Sequence, residues 1–175
     1  MPTPPHQDNF YFCFANPHCL TIWVALDNVE ESNGCMMYMK YDKETDEHGN
    51  GEKGILEHEG NPHWNPRAGF SSQLKDFGPS ERAHMRLAVP LRPGDAVVHH
   101  ANTIHAGRPN TTVDRWRRAV AFVLKRWGTG RMRPRLLLFD ASPLGVVSDR
   151  DDCVVDPAMT AKYQACVKAS GVPQK

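Results

Sequence analysis

The sequence lacks any long apolar run. Its longest clean apolar stretch, residues 20–26, falls far short of the roughly 18 residues a membrane-spanning helix needs. It opens Met-Pro-Thr-Pro-Pro-His, without the apolar segment of a secretory leader, so export by that route is not expected. It has no Cys-x-x-Cys pair. The five cysteines, Cys13, Cys19, Cys35, Cys153 and Cys166, form an odd set that argues against a disulfide framework or a cysteine zinc site. A reducing, cytoplasmic setting fits best. The last residues, Pro-Gln-Lys, are not a peroxisomal signal. Net charge is only +1, so there is no global pull toward nucleic acid. Internal repeats and low-complexity tracts are absent as well.

The 175 residues suggest one domain, spanning 1–175, with enough chain for a real core. Thirteen glycines and fourteen prolines favour a loop-rich β protein over a helix bundle. Residues 9–15 are aromatic-rich and read as a strand, with turn chemistry at Asn16-Pro17. Residues 20–26 alternate: Leu20, Ile22, Val24 and Leu26 share one face, and Thr21, Trp23 and Ala25 the other. Asn33-Gly34 marks a turn before a strand at 35–40. Residues 41–83 show no sustained period and read as a long excursion with little regular structure. Strands are expected at 85–91, 96–100, 103–106, 117–125 and 134–139, with a tight turn at Arg92-Pro93-Gly94-Asp95. Asp156-Pro157 opens a helix running to about residue 170. Short strands with frequent turns point to an antiparallel sandwich or barrel.

Charge is unevenly spread. Residues 27–59 hold ten acids against three lysines, and residues 115–135 hold eight bases and no acid. Two solvated faces account for this. The sharper alternative is that some of those arginines meet an anionic ligand; a basic nucleic-acid module is weaker, because the alternation within 115–135 suits a buried strand.

Nine histidines are many for this length. In His6-Gln7-Asp8, residues i and i+2 of an extended chain point the same way, so an imidazole and a carboxylate can grip one ion. His105, on a short strand after the Gly94-Asp95 turn, is the best third candidate. Two histidines and a carboxylate suit non-haem Fe(II), with three coordination positions left open. Asp8 as a turn cap and His105 as a core histidine are the plain alternatives. A zinc hydrolase built on His58-Glu59 and His63 is weaker: H-E-x-x-x-H is one residue too long for the helical motif, and Gly60 and Pro62 interrupt a helix.

Four blocks in order, HQDNFYF, LTIWVALDNVEESNGCM, RPGDAVVHHANTIHAGRPNTT and RRAVAF, resemble the phytanoyl-CoA dioxygenase family over roughly residues 5–125. The resemblance implies a mainly β fold, a double-stranded β-helix (jelly roll, cupin-like), here with a short C-terminal helix. It implies an Fe(II)- and 2-oxoglutarate-dependent dioxygenase that uses O2, releases succinate and CO2 and hydroxylates a small organic or lipid-like substrate, with ascorbate in support. His6, Asp8 and His105 match the iron ligands. Arg117 matches the arginine that binds the far carboxylate of 2-oxoglutarate, with Arg118 in reserve should the register slip by one. Trp23 and Gln7 match positions beside the cosubstrate. His100 matches a recurrent histidine that is not a ligand, and His99 is expected to face away. A carboxylate at position 8 argues for hydroxylation over halogenation. The resemblance also implies a longer stretch before the H-x-D and a Gly-Ser-His segment after Met39, where this chain reads Lys40-Tyr41-Asp42. An open sheet edge and a non-catalytic relative that keeps only the fold are the corresponding alternatives.

Overall fold

The computed structural model describes residues 2–13, 19–39, 54–62, 72–88, 90–126, 132–136 and 157–169. In chain order the elements are α1 (Asp8–Phe12), β1 (Cys19–Ala25), β2 (Met36–Met39), β3 (His58–Gly60), β4 (Ser72–Leu74), α2 (Pro79–Ala83), β5 (Met85–Leu87), β6 (Ala96–His100), β7 (His105–Gly107), β8 (Ala119–Arg126), β9 (Met132–Leu136) and α3 (Pro157–Ala169). None of the described helices is long and apolar enough to cross a membrane.

Strand β1 organises the larger sheet. Its residues alternate between buried and half-buried without a break, as the period of two requires. Thr21, Trp23 and Ala25 point inward, while Leu26 and Val98 on the other face stand 50% and 58% exposed. Antiparallel neighbours β6 and β8 flank β1, with β9 beyond, giving the order β6-β1-β8-β9. The register sets Thr21 opposite His99 and Trp23 opposite Ala121. A second sheet, β5-β2-β7, pairs Tyr38 with His105. Trp23, Ala25, Val29, Cys35 and Met36 form a core cluster, with Tyr38, Leu87, Val97 and Ala121 packed against it. Two antiparallel sheets sharing one core are the double-stranded β-helix expected from the sequence.

The chain start threads into this frame. His6 and His105 exchange both backbone hydrogen bonds, each 3.0 Å. Gly107 N–H donates to Thr3 O, and Leu74 N–H donates to Pro5 O. Residues 3–6 are thereby tied to β7 on one side and β4 on the other.

Three local expectations are corrected. The strand expected at 9–15 is replaced over its described part by the one-turn helix α1, residues 8–12, with 14 and 15 outside the described residues. Asp8 sits in its first turn, where a carboxylate meets exposed N–H groups favourably, and Phe10 and Phe12 are both buried by the turn. Cys13, left-handed at φ 52°, ends it, its N–H donating to Asn9 O. The excursion at 41–83 contains the β3–β4 hairpin and α2 within its described part. The late strand, Met132–Leu136 in its described part, starts two residues earlier than expected, where it pairs in register with Phe122–Arg126; residues 137–139 lie outside the described residues. Asn16-Pro17 and Asp156 lie outside the described residues.

The charge asymmetry resolves in part into pairs. Arg118 meets Asp27, Arg115 meets Glu30, and Arg108 meets Glu31, all at 2.7–2.9 Å. Such surface pairs contribute about 0–1 kcal/mol each and serve mainly to hold loops in place. The Arg118 guanidinium and backbone N–H hold the Asp27 carboxyl down at about 2. A depressed carboxylate stabilises the fold above its ordinary range and loses that contribution as pH falls toward 2. Asp27→Asn is therefore expected to lower the melting temperature at pH 6. The gap from wild type should close as the pH is taken from 4 to 2, which thermal unfolding across that range checks.

Candidate metal centre

The backbone pairing of residues 6 and 105 brings their rings together, with centroids 4.2 Å apart. His6 Nδ1 lies 2.8 Å from Pro4 O, and His105 Nδ1 lies 2.9 Å from Thr103 O. A carbonyl oxygen only accepts, so each Nδ1 carries a proton, and each ring, when neutral, offers its lone pair at Nε2. Both Nε2 atoms lie 3.4 Å from Asp8 Oδ1. The three residues are 1%, 8% and 3% exposed for His6, Asp8 and His105. One ligand atom from each lies within 4.8 Å of the other two.

The two oxygens of Asp8 have different tasks. Oδ1 faces the pair of imidazoles. Oδ2 accepts from Thr21 Oγ1 at 2.6 Å and from His99 Nε2 at 3.2 Å. Burial raises the Asp8 carboxyl, but a charged His105 beside it and the neighbouring His99 donor outweigh it and hold it well below the usual range. Burial lowers His6, with His105 adding to the effect. Burial also opposes charge on His105, yet Asp8 beside it lifts it above its ordinary value. The cluster is a buried anion that favours one positive charge beside it.

The bend at residue 7 differs from the extended H-x-D expected from the sequence. Gln7 is extended (φ −120°, ψ 126°), and Asp8 begins α1. His6 and Asp8 converge because a strand-like bridge passes directly into a helical turn.

Gln7, expected beside the cosubstrate, has its side-chain amide bonded to backbone groups. Its Nε2 donates to Asn102 O at 2.7 Å and Gly54 O at 3.2 Å, and its Oε1 accepts from Leu56 N at 2.8 Å. The side chain staples three chain segments behind the site. His58 supports the same turn. Its Nδ1 donates to Leu56 O, its Nε2 accepts the Gln7 N–H at 3.3 Å, and its ring stacks on Phe10 at 3.9 Å. Burial pushes its pKa down to about 3. His58 and Glu59 lie on strand β3, not on a helix, and Glu59 accepts from Gln73 on the exposed hairpin face. The zinc-hydrolase reading thus loses its helix; His63 lies outside the described residues.

His99 is a further correction, since it faces the site. Its neighbour His100 instead accepts the Asn102 N–H at Nδ1. Two adjacent histidines on a strand must face opposite ways, but only the register with β1 decides which turns inward. The inward direction of Thr21 and its pairing with His99 were the available signal.

The two arginines also separate. Arg118 grips Asp27 with two side-chain bonds, 2.7 and 3.0 Å, on the outside. Arg117 lies largely buried with its guanidinium 5.3 Å from the centre of the Trp23 ring. Its Nε is buried and has no hydrogen-bond partner among the described residues. Burial lowers its pKa. Trp23 is two residues from Thr21 on the inward face, roughly 7 Å along β1. The arginine and the Asp8 cluster therefore flank one strip of that strand. Replacing Gln7 by Leu leaves one buried and two partly buried backbone groups without this partner. An expected loss of about 1–3 kcal/mol should appear in urea unfolding.

Comparison with known proteins shows the family. Residues 1–119 match the family model described as Phytanoyl-CoA dioxygenase (PhyH). "Phytanoyl-CoA dioxygenase 1" of Oryza sativa subsp. japonica is 29% identical over 107 residues, covering 61% of this chain and 33% of the rice protein. EvdO2 from Micromonospora carbonacea var. aurantiaca, solved in complex with 2-oxoglutarate, is 30% identical with a TM-score of 0.52. The match covers 82% of this chain and 50% of EvdO2. SnoK, a non-heme alpha ketoglutarate dependent carbocyclase from nogalamycin biosynthesis, is 28% identical with a TM-score of 0.50. That match covers 70% of this chain and 43% of SnoK. The chain thus spans a third to a half of the length of these relatives. With its family blocks falling on the two sheets that converge at Asp8, the chain belongs to the phytanoyl-CoA dioxygenase family.

Proposed function

We propose that this chain carries the metal- and cosubstrate-binding core of an Fe(II)- and 2-oxoglutarate-dependent dioxygenase acting on a small organic or lipid-like molecule. One observation carries the reading: two lone-pair imidazole nitrogens and a single carboxylate oxygen converge in a buried cluster. That donor set fits Fe(II) held on one face, with three positions open. His6 Nε2, Asp8 Oδ1 and His105 Nε2 would supply the ligands. When bound, iron and 2-oxoglutarate supply the activation of O2, with succinate and CO2 released as a hydroxyl is placed on the substrate.

The protein's own part is to bind and orient. Arg117 would receive the far carboxylate of 2-oxoglutarate. Its planar fork meets a carboxylate through two hydrogen bonds and stays charged even where burial disfavours it. The unpartnered Nε supports this assignment over Arg118, whose fork is already occupied by Asp27. Trp23 forms a flat wall under the guanidinium. Ala25, Ala119 and Ala121, small side chains around Trp23, leave room beside it. Burial of the cluster keeps bulk water from the ligand atoms. Asp8 supplies the third ligand, a position that a halide-binding site would leave open, which supports hydroxylation as the outcome.

The test is succinate formation from 2-oxoglutarate with Fe(II) and ascorbate, measured alongside 2-oxoglutarate binding to Mn(II)-loaded protein. His6→Ala and His105→Ala are each expected to bring succinate formation to background. Full turnover in His105→Ala would refute the ligand assignment. Arg117→Ala is expected to weaken 2-oxoglutarate about 10–100-fold, the loss of a charge-assisted bidentate contact. Arg118→Ala should stay within about twofold, as an exposed pair contributes little. Metal and 2-oxoglutarate binding without any succinate would favour a non-catalytic domain that keeps the fold.

A further inference from the structure

We propose that His99, fixed in its tautomer by Tyr38, is a positioning residue that keeps Asp8 a one-oxygen metal ligand. This rests on the reading of His6, Asp8 and His105 as the metal ligands. A carboxylate can offer a cation one oxygen or two. Two oxygens from Asp8 and two histidine nitrogens would fill four of six positions. The two left would be taken by a chelating keto acid, with none for O2. Asp8 must therefore bind through Oδ1 alone, and something must hold Oδ2 away.

The structure provides that hold. Oδ2 accepts from Thr21 Oγ1 at 2.6 Å and lies 3.2 Å from His99 Nε2. An ionised carboxylate only accepts, so His99 Nε2 carries the proton. The neutral ring then has its lone pair at Nδ1, and there the Tyr38 hydroxyl sits, 3.2 Å away. The hydroxyl donates to Nδ1, Nε2–H donates to Asp8, and the tautomer is set from both ends. His99 is buried, and its ring lies 4.3 Å from that of His105. Its Nε2 is the one directed at Oδ2, whereas the two candidate ligands share Oδ1.

The arrangement also joins the two sheets. Thr21 and His99 are directly opposed on β1 and β6. Tyr38 and His105 are directly opposed on β2 and β7, with rings stacked 5.9 Å apart. The Tyr38–His99 bond spans from one pair to the other. Any slip of one sheet against the other is thus transmitted to the orientation of Asp8. Buried partners of this kind orient ligands, and losing one weakens metal binding about 10–100-fold.

The experiment is Mn(II) affinity by calorimetry on the whole chain without 2-oxoglutarate, paired with the visible spectrum of the Co(II)-loaded protein. His99→Ala is expected to weaken Mn(II) about 10–100-fold and to change the Co(II) bands as Oδ2 enters the coordination sphere. His99→Gln, which retains an N–H donor, is expected to recover most of the affinity. A purely structural role predicts no such rescue. Tyr38→Phe removes one oxygen remote from Asp8 and serves if His99→Ala fails to fold; it should give a smaller loss and the same spectral change. Wild-type affinity and spectrum in His99→Ala would overturn the inference alone, as would a His99→Gln variant no better than His99→Ala. Wild-type affinity and spectrum in Tyr38→Phe would overturn the role of the tyrosine. Failure of the unaltered protein to bind Mn(II) would overturn the metal-site reading and this inference with it.

Discussion

The structure depends on the burial of one carboxylate. Asp8 is 8% exposed, and a buried charge is tolerated only where partners surround it. Here the partners come from four separate stretches of chain: His6 beside it, Thr21 on β1, His99 on β6 and His105 on β7. Thr21 and His99 reach Asp8 only when the larger sheet is formed, and His105 only when the chain start is docked on β7. Removing one partner would leave the charge undersatisfied, which costs more than the pair itself contributes. Site and fold are thus coupled through one side chain.

Around this centre, the backbone places what the side chains use. The reciprocal hydrogen bonds of His6 and His105 set the ring separation before either ring is considered. Behind them, His58 accepts the Gln7 N–H where the bridge passes into the helix, and the Gln7 side chain meets the backbones of Asn102 and Leu56. Helix α3 backs this support. Tyr163 meets Phe10 and Tyr11 edge to face, and the Cys166 thiol donates to His58 O. A helix remote in sequence therefore packs against the turn that aims Asp8.

The acidic and basic stretches take on a different meaning once folded. Asp27 and Glu30 are joined to Arg118 and Arg115 across the surface, so these two bases are partnered within the chain. Arg117 alone of the pair 117–118 turns inward, over Trp23. Neighbouring arginines on an extended chain must diverge. On the inward side the guanidinium lies over Trp23, which is paired with Ala121, and the opposite side already has an aspartate.

The order of short strands, the alternation along β1, the turns at Asn33-Gly34 and Arg92–Asp95 and the C-terminal helix were all legible in the residues, because each depends on local periodicity or backbone preference. The grouping of His6, Asp8 and His105 was legible through the family blocks, although spacing alone left other readings open. What the residues did not reveal was everything that depends on register. His99 and not His100 faces Asp8 because Thr21 stands opposite it on β1. Gln7 turns to the Gly54, Leu56 and Asn102 backbones because the chain passes from a bridge into a helix at that residue. Aromatic composition at 9–15 suggested a strand, yet burial of Phe10 and Phe12 on a single helical turn prevailed. Local preference is written in a few adjacent residues, whereas the direction of a side chain on a sheet is set by partners tens of positions away.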